Sequence, residues 1–140
     1  APFTRDDEAD VLRYVAGAGY RHAGLYVSGE HYWQTEDPQR DMTLAGAPLP
    51  DVKGRGFYAQ AGYMLKPEAW EIAARYAQVD PNADKDDDKK TEATLGVNRF
   101  LYKSGHNFKF TADVSRLTEE KGAGIDYKDY RGRAQFQLIF

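Results

Sequence analysis

The chain has 140 residues, no cysteine, and 19 basic against 22 acidic side chains, a formal net charge of -3. This excludes disulfide scaffolds, thiolate zinc sites and cysteine nucleophiles, and a pI near 5.6 argues against a nucleic-acid partner, whose phosphates call for a basic face. A mean hydropathy of -0.73 leaves the class open, because strands with one apolar and one polar face, joined by polar loops, also average out as polar.

Ten Tyr, seven Phe and two Trp beside 13 Gly favour extended strands over helices. No run approaches the roughly 18 apolar residues of a transmembrane helix, and the first ten residues lack the basic start and apolar middle of a signal peptide. Residues 1–11 read as a polar loop segment, with five charged side chains and one proline among the first ten.

From Leu12 to Tyr20 the residues Leu12, Tyr14, Ala16, Ala18 and Tyr20 fall on one face at period two, with Arg13 and Arg21 on the other. A turn at 21–24 leads to a second strand, where Leu25, Val27, Gly29, His31 and Trp33 alternate with Tyr26, Ser28, Glu30 and Tyr32. Residues 35–54, with three prolines and several charges, read as a long loop. The third strand sets Phe57, Ala59, Ala61, Tyr63 and Leu65 against Tyr58, Gln60, Gly62 and Met64, before a tight turn at 66–68.

The fourth strand is the cleanest, with Trp70, Ile72, Ala74 and Tyr76 opposite Glu71, Ala73, Arg75 and Ala77. After a hydrophilic loop at 80–91, a fifth strand opposes Ala93, Leu95 and Val97 to Thr94, Gly96 and Asn98, and a turn is expected at 104–107. The sixth alternates Phe108, Phe110, Ala112 and Val114 with Lys109, Thr111, Asp113 and Ser115. A loop at 118–129 precedes the last, which interleaves Tyr130, Gly132, Ala134, Phe136, Leu138 and Phe140 with Arg131, Arg133, Gln135, Gln137 and Ile139.

Long connections alternating with short ones, and a strand period of about ten residues, are the habits of a transmembrane antiparallel β-barrel. The reading is therefore all-β, with residues 12–140 supplying about seven transmembrane strands. The turns at 21–24, 66–68 and 104–107 would face the periplasm, and the loops at 35–54, 80–91 and 118–129 the outside. Rings favour the membrane interface. Tyr20, Tyr63, Trp70, Phe108 and Phe140 would form the girdle at the short-turn end, and Trp33, Tyr76 and Tyr130 the one at the long-loop end. The competing reading makes them core aromatics of a soluble β protein.

If the apolar face meets lipid, Arg13, Arg21, Glu30, Glu71, Arg75, Lys109, Asp113, Arg131 and Arg133 line the lumen or its rim. Six bases against three acids would favour anions. Cross-strand pairing would instead cancel the charges.

The segments Gly56-Phe57-Tyr58-Ala59-Gln60-Ala61-Gly62-Tyr63, Glu71-Ile72-Ala73-Ala74-Arg75-Tyr76 and Val79-Asp80-Pro81 join Thr94-Leu95-Gly96-Val97-Asn98, Gly105-His106-Asn107-Phe108-Lys109 and the terminal Phe140. Together they resemble the C-terminal part of the phosphate-selective porin O and P family, from about residue 20 to 140. The resemblance implies a trimeric outer-membrane porin with a sixteen-stranded barrel and anion preference. Phe136, Leu138 and Phe140 look like the signal read by the barrel-assembly machinery. Arg99 departs from the pattern, standing where an apolar residue is expected, and would snorkel to the interface. Phosphate binding cannot be carried over to any position here, since the family's basic ladders belong to earlier strands.

Bacterial single-chain barrels have even strand numbers, and an open sheet in lipid leaves backbone groups unpaired at several kcal/mol each. Upstream strands are therefore expected on another chain or an unseen segment, with residues 1–11 the remnant of an extracellular loop. A small eight-stranded barrel closed by residues 1–10 is disfavoured by their charge.

Asp80 to Asp88 invites a calcium reading, but an EF-hand loop wants Gly and Glu where Lys85 and Thr91 stand, so a solvated acidic loop is expected. His22, His31 and His106, and Ser28, Ser104 and Ser115, show no catalytic motif. The expectation is no enzyme, no cofactor and no metal, with lipid and lipopolysaccharide as surroundings. The function expected is passive diffusion of small hydrophilic, anionic solutes. The alternative is a barrel that anchors a surface assembly and conducts little.

Overall fold

The computed structural model describes residues 9–38, 43–44, 47–48, 50–66, 69–101, 108–121 and 126–138. In chain order the strands are β1 (Ala9–His22), β2 (Leu25–Pro38), β3 (Thr43–Leu44), β4 (Ala47–Pro48), β5 (Val52–Lys66), β6 (Trp70–Asp80), β7 (Lys90–Phe100), β8 (Phe108–Glu120) and β9 (Asp126–Leu138). Seven of them form one antiparallel sheet in the order β1-β2-β5-β6-β7-β8-β9, each beside its neighbour in the chain. The two-residue β3 and β4 make a separate ladder. Among the described residues β1 and β9 do not pair, so the sheet is open at both edges.

The strands outrun the sequence-based bounds. Thr35 and Glu36 pair with Lys53 and Val52, inside the loop expected at 35–54, which also holds β3 and β4. β1 starts at Ala9, opposite Pro38. Thr118, Glu119 and Glu120 pair with Lys128, Tyr127 and Asp126, so the loop expected at 118–129 shrinks to 121–125. Polar side chains do not end a ladder: its bonds are made by the backbone, and above an apolar band both faces can be solvated. The contrast of long and short connections weakens accordingly, because β7 and β8 are separated by 101–107 at the other end. The expected turns at 66–68 and 104–107 lie largely or wholly outside the described residues.

The β1–β2 connection is sharper than expected, only Ala23 and Gly24, with φ of 48° and 81°. Two consecutive positive φ values make a type I′ hairpin turn, whose twist matches that of the strands. Gly24 adopts this region freely, whereas Ala23 is strained there. Ala23→Asn is therefore expected to stabilise the hairpin by about 0.5 kcal/mol, read from the unfolding midpoint in urea.

Register separates the residues into two faces. Ala18, Gly29, Ala59, Tyr76, Ala93, Arg116 and Tyr130 form one continuous row, and Tyr20, Val27, Ala61, Ala74, Leu95, Val114 and Gly132 the next row towards the β1–β2 turn. Among the described residues no hydrophobic side chain is buried, while Leu95 is 65%, Phe136 68% and Tyr130 73% exposed. Those most buried are Asp80, Asn98 and Ser115. This inverts a water-soluble fold, in which apolar surface is removed from water.

The apolar stripe also slopes across the sheet. On β1 it runs from Leu12, three rows above Ala18, to Tyr20, one row below; on β9 it starts with Tyr130, in Ala18's row, and reaches Leu138 four rows below. Both borders thus drop three rows, or six residues, over six strand-to-strand steps. Six residues are about 20 Å of slip and six steps about 29 Å of width, which corresponds to a tilt of about 35°. A level apolar band therefore requires strands tilted by about the 35–45° typical of transmembrane barrels.

Candidate functional site

The face opposite the apolar stripe collects the polar side chains, and most bond across strands. Arg13 Nε on β1 donates to Gln34 Oε1 on β2 at 2.9 Å, and Gln60 Nε2 on β5 donates to Ser28 Oγ at 3.0 Å. Asn98 on β7, 7% exposed, donates to Glu71 Oε1 at 2.6 Å and accepts from Thr111 Oγ1 at 2.6 Å, joining three neighbouring strands. The hydroxyls of Thr94 and Ser115 lie 2.8 Å apart. Tyr26 lies over Gly62, where a Cβ would stand 3.0 Å from the ring, so this glycine seats an aromatic on the polar face.

The charges divide into two groups. Arg133 brings Nε and Nη2 to 2.9 Å from Asp113 Oδ2, directly opposite it in register. Arg131 Nη2 lies 3.0 Å from Glu92 Oε1. Those two cations are neutralised. Arg75 instead lies over the Tyr58 ring, 4.7 Å from its centroid, and Lys109 over Phe100 at 5.7 Å. Like Arg13 on its neutral Gln34, they form no ion pair with a carboxylate among the described residues. Glu30 lies across Gly17 on the same face, and Arg21 is at the hairpin end of β1. All nine charged residues singled out from the sequence share this face. Of these nine, Arg133 and Asp113 pair with each other and Arg131 pairs with Glu92, while the acid Glu71 is bonded to the neutral Asn98.

Sequence reasoning missed the neutral partners Gln34, Gln60, Thr94 and Thr111, and the acid Glu92. Their strand parity placed them on the polar face, but a lone hydroxyl or amide looks the same whether solvated or bonded. Glu92 pairs with Arg131 across the whole of β8, a contact that no sequence spacing announces.

Tyr26 and Tyr58 lie on this polar face, but the described aromatics expected to form the two girdles lie on the opposite one. At the long-loop end the Trp33 and His31 ring centroids are 3.9 Å apart, and Tyr76 is 5.9 Å from Phe57. Tyr130 is opposite Arg116. At the short-turn end Tyr63 is opposite Ile72, Phe108 opposite Leu138, and Tyr20 beside Val27. Arg99, on the same face, stacks its guanidinium 4.8 Å from the Trp70 centroid. Phe136 packs on Phe110 at 4.9 Å, while Phe140, Ser104 and His106 lie outside the described residues.

Above the stripe Arg55 bonds Asp80 at 3.0 Å, and Glu119 lies 3.2 Å from Lys90 and 3.3 Å from Lys121. There, past the apolar band, hydrogen bonds from the two ammonium groups hold the Glu119 carboxyl below the usual carboxylate range. Among the described residues no group of three His, Asp or Glu side chains could hold a metal ion.

An exposed apolar band sloping across the strands and a bonded polar face are together the construction of a membrane barrel wall. The model of the family described as phosphate-selective porin O and P matches residues 14–140. The chain belongs to that porin family. No curated protein and no solved structure matches it. The match begins in β1 and covers every later strand, so all seven strands of the sheet belong to the porin fold. The family is one of outer-membrane porins.

Proposed function

We propose that this sheet is one section of the wall of a water-filled outer-membrane channel through which small hydrophilic solutes, anions preferentially, diffuse. The observation that carries the reading is the inverted burial: Leu95 and Phe136 point outward uncovered while Asn98 and Ser115 are enclosed. Lipid covers the first kind of residue, and the second kind is held among the bonded side chains of the face turned to the pore. The loops after β2, β6 and β8 then face the outside, and the β1–β2 turn the periplasm.

The edges β1 and β9 carry unpaired backbone groups that lipid does not satisfy. In this reading further strands, on another chain or another segment, pair with them to complete a sixteen-stranded barrel, and complete barrels associate as trimers. Phe136 and Leu138 on β9, together with Phe140, which lies outside the described residues, serve recognition by the barrel-assembly machinery.

The test is conductance of the native complex, extracted from outer membranes and inserted into planar bilayers. Stepwise conductance increments are expected, with a reversal potential of anion-preferring sign in a salt gradient. A heat-resistant barrel that inserts without conducting would overturn the channel reading in favour of an anchoring role.

A further inference from the structure

The apolar face is not evenly covered by side chains. Across its middle runs a shallow groove of about 640 Å³, whose lining includes Ala61, Ala74, Ala93, Leu95 and Val114. A second depression of about 440 Å³ shares Ala61, Ala74 and Leu95 with it and reaches Tyr63 and Ile72. The two adjoin at those shared residues.

Along the strands the groove begins in the row of Tyr76, Ala93, Arg116 and Tyr130 and ends two rows lower, at Ile72, four residues away. That is about 13 Å at the rise of a strand, from the girdle row of Tyr76 and Tyr130 to that of Tyr63.

At the upper end stands a cation. Arg116 is exposed on the membrane-facing side, in the girdle row between Ala93 and Tyr130. Its neighbours one row higher are Thr91, Thr118 and Lys128, so no carboxylate faces it in register, and it forms no ion pair among the described residues. On the same face Arg99 is stacked on Trp70 at the opposite border, and Arg55, above the stripe, is paired with Asp80. A guanidinium without an ion pair among the described residues, at the top of an apolar groove, is complementary to a phosphate carrying an acyl chain.

We propose that this groove binds one acyl chain of a phosphorylated lipid of the outer leaflet, with the Arg116 guanidinium on the lipid phosphate and the Tyr76 and Tyr130 rings bracketing the headgroup. The inference rests on the porin reading, because it needs the apolar face to be in the membrane and the long-loop end to be outside. Small lining residues such as Ala61, Ala74 and Ala93 leave room for the chain, and Arg116 supplies the contact that distinguishes a bound lipid from bulk lipid. Phosphate oxygens accept a fork of N–H donors from arginine, which a lysine ammonium reproduces only as a point charge.

The experiment is native mass spectrometry of the complex, extracted in mild detergent and incubated with purified lipopolysaccharide. Wild type, Arg116→Gln, Arg116→Lys and Ala93→Phe are compared, and conductance is recorded for each. Retention of lipopolysaccharide is expected to fall about tenfold in Arg116→Gln, the loss of one charge-assisted contact, and less in Arg116→Lys. It should fall likewise in Ala93→Phe, which fills the groove, while channel conductance is unchanged throughout.

Equal retention by all four proteins, with conductance intact, would overturn the lipid site and leave the porin reading standing. Loss of the oligomer in Ala93→Phe, with Arg116→Gln unaffected, would also overturn it, since a second copy of the chain would then cover the groove. Absence of conductance in wild type would instead strike the underlying channel reading.

Discussion

Leu95→Arg is expected to destabilise the membrane-inserted protein by about 2–4 kcal/mol, the cost of an arginine near the middle of a barrel's lipid face. Leu95 is 65% exposed, one row below the Tyr76 and Tyr130 girdle and two rows above Arg99 and Trp70. In a water-soluble protein a side chain so open to solvent would accept the charge within about 0.5 kcal/mol. The two environments therefore predict different results from the same coordinates. Gln135→Arg is the control, because Gln135 is opposite Thr111 on the polar face and is also exposed. It should be close to neutral. Urea titration of protein folded into lipid vesicles, followed by heat-modifiable migration, gives both values. Near-neutral behaviour of Leu95→Arg would show that lipid does not touch this face.

What the sequence disclosed follows from which interactions leave a periodic trace. Trp70, Ile72, Ala74 and Tyr76 announce their face because lipid demands an apolar group at every second position, and the same demand fixed the phase of β1, β5, β7, β8 and β9. The strand ends left no such trace. Thr35 and Glu36 carry the β2–β5 ladder onward through backbone bonds, so prolines and charges nearby marked where lipid ends and not where pairing ends. Glu119 and Glu120 misled in the same way, pairing with Tyr127 and Asp126 where a loop was expected.

The charged face was legible residue by residue but not as a set of partners. Arg133 and Asp113 are in direct register, a relation visible only once the β8–β9 pairing is known. Arg131 with Glu92 requires two pairings and the offset of tilted strands. Parity names the residues on a face; the slip between strands decides which of them meet.

That distinction sets opposite expectations for two substitutions of similar chemistry. Arg75→Gln removes a cation that rests on the Tyr58 ring without an ion pair, so the anion-to-cation permeability ratio should fall. Asp113→Asn removes the carboxylate that holds Arg133 through both Nε and Nη2, releasing its charge to the face, so the ratio should rise. A unit charge acting on an ion at about 5–10 Å through water contributes about 0.4–0.8 kcal/mol, a change of about two- to fourfold in either direction. Reversal potentials should be taken near 0.1 M salt, where the Debye length is about 10 Å, and again at 1 M, where screening to about 3 Å should erase most of the difference. If selectivity follows the simple count of charges, Arg131→Gln should match Arg75→Gln. If pairing matters as the geometry implies, Arg131→Gln should have its own signature, because it also leaves Glu92 facing the pore without its partner. Loss of Arg131 then replaces a neutral pair by a bare anion, and loss of Arg75 removes a bare cation. Both lower anion preference, but only the first introduces a new attraction for cations, read as a rise in absolute cation conductance. Unchanged selectivity in all three variants would place the charge that selects ions on other strands of the barrel.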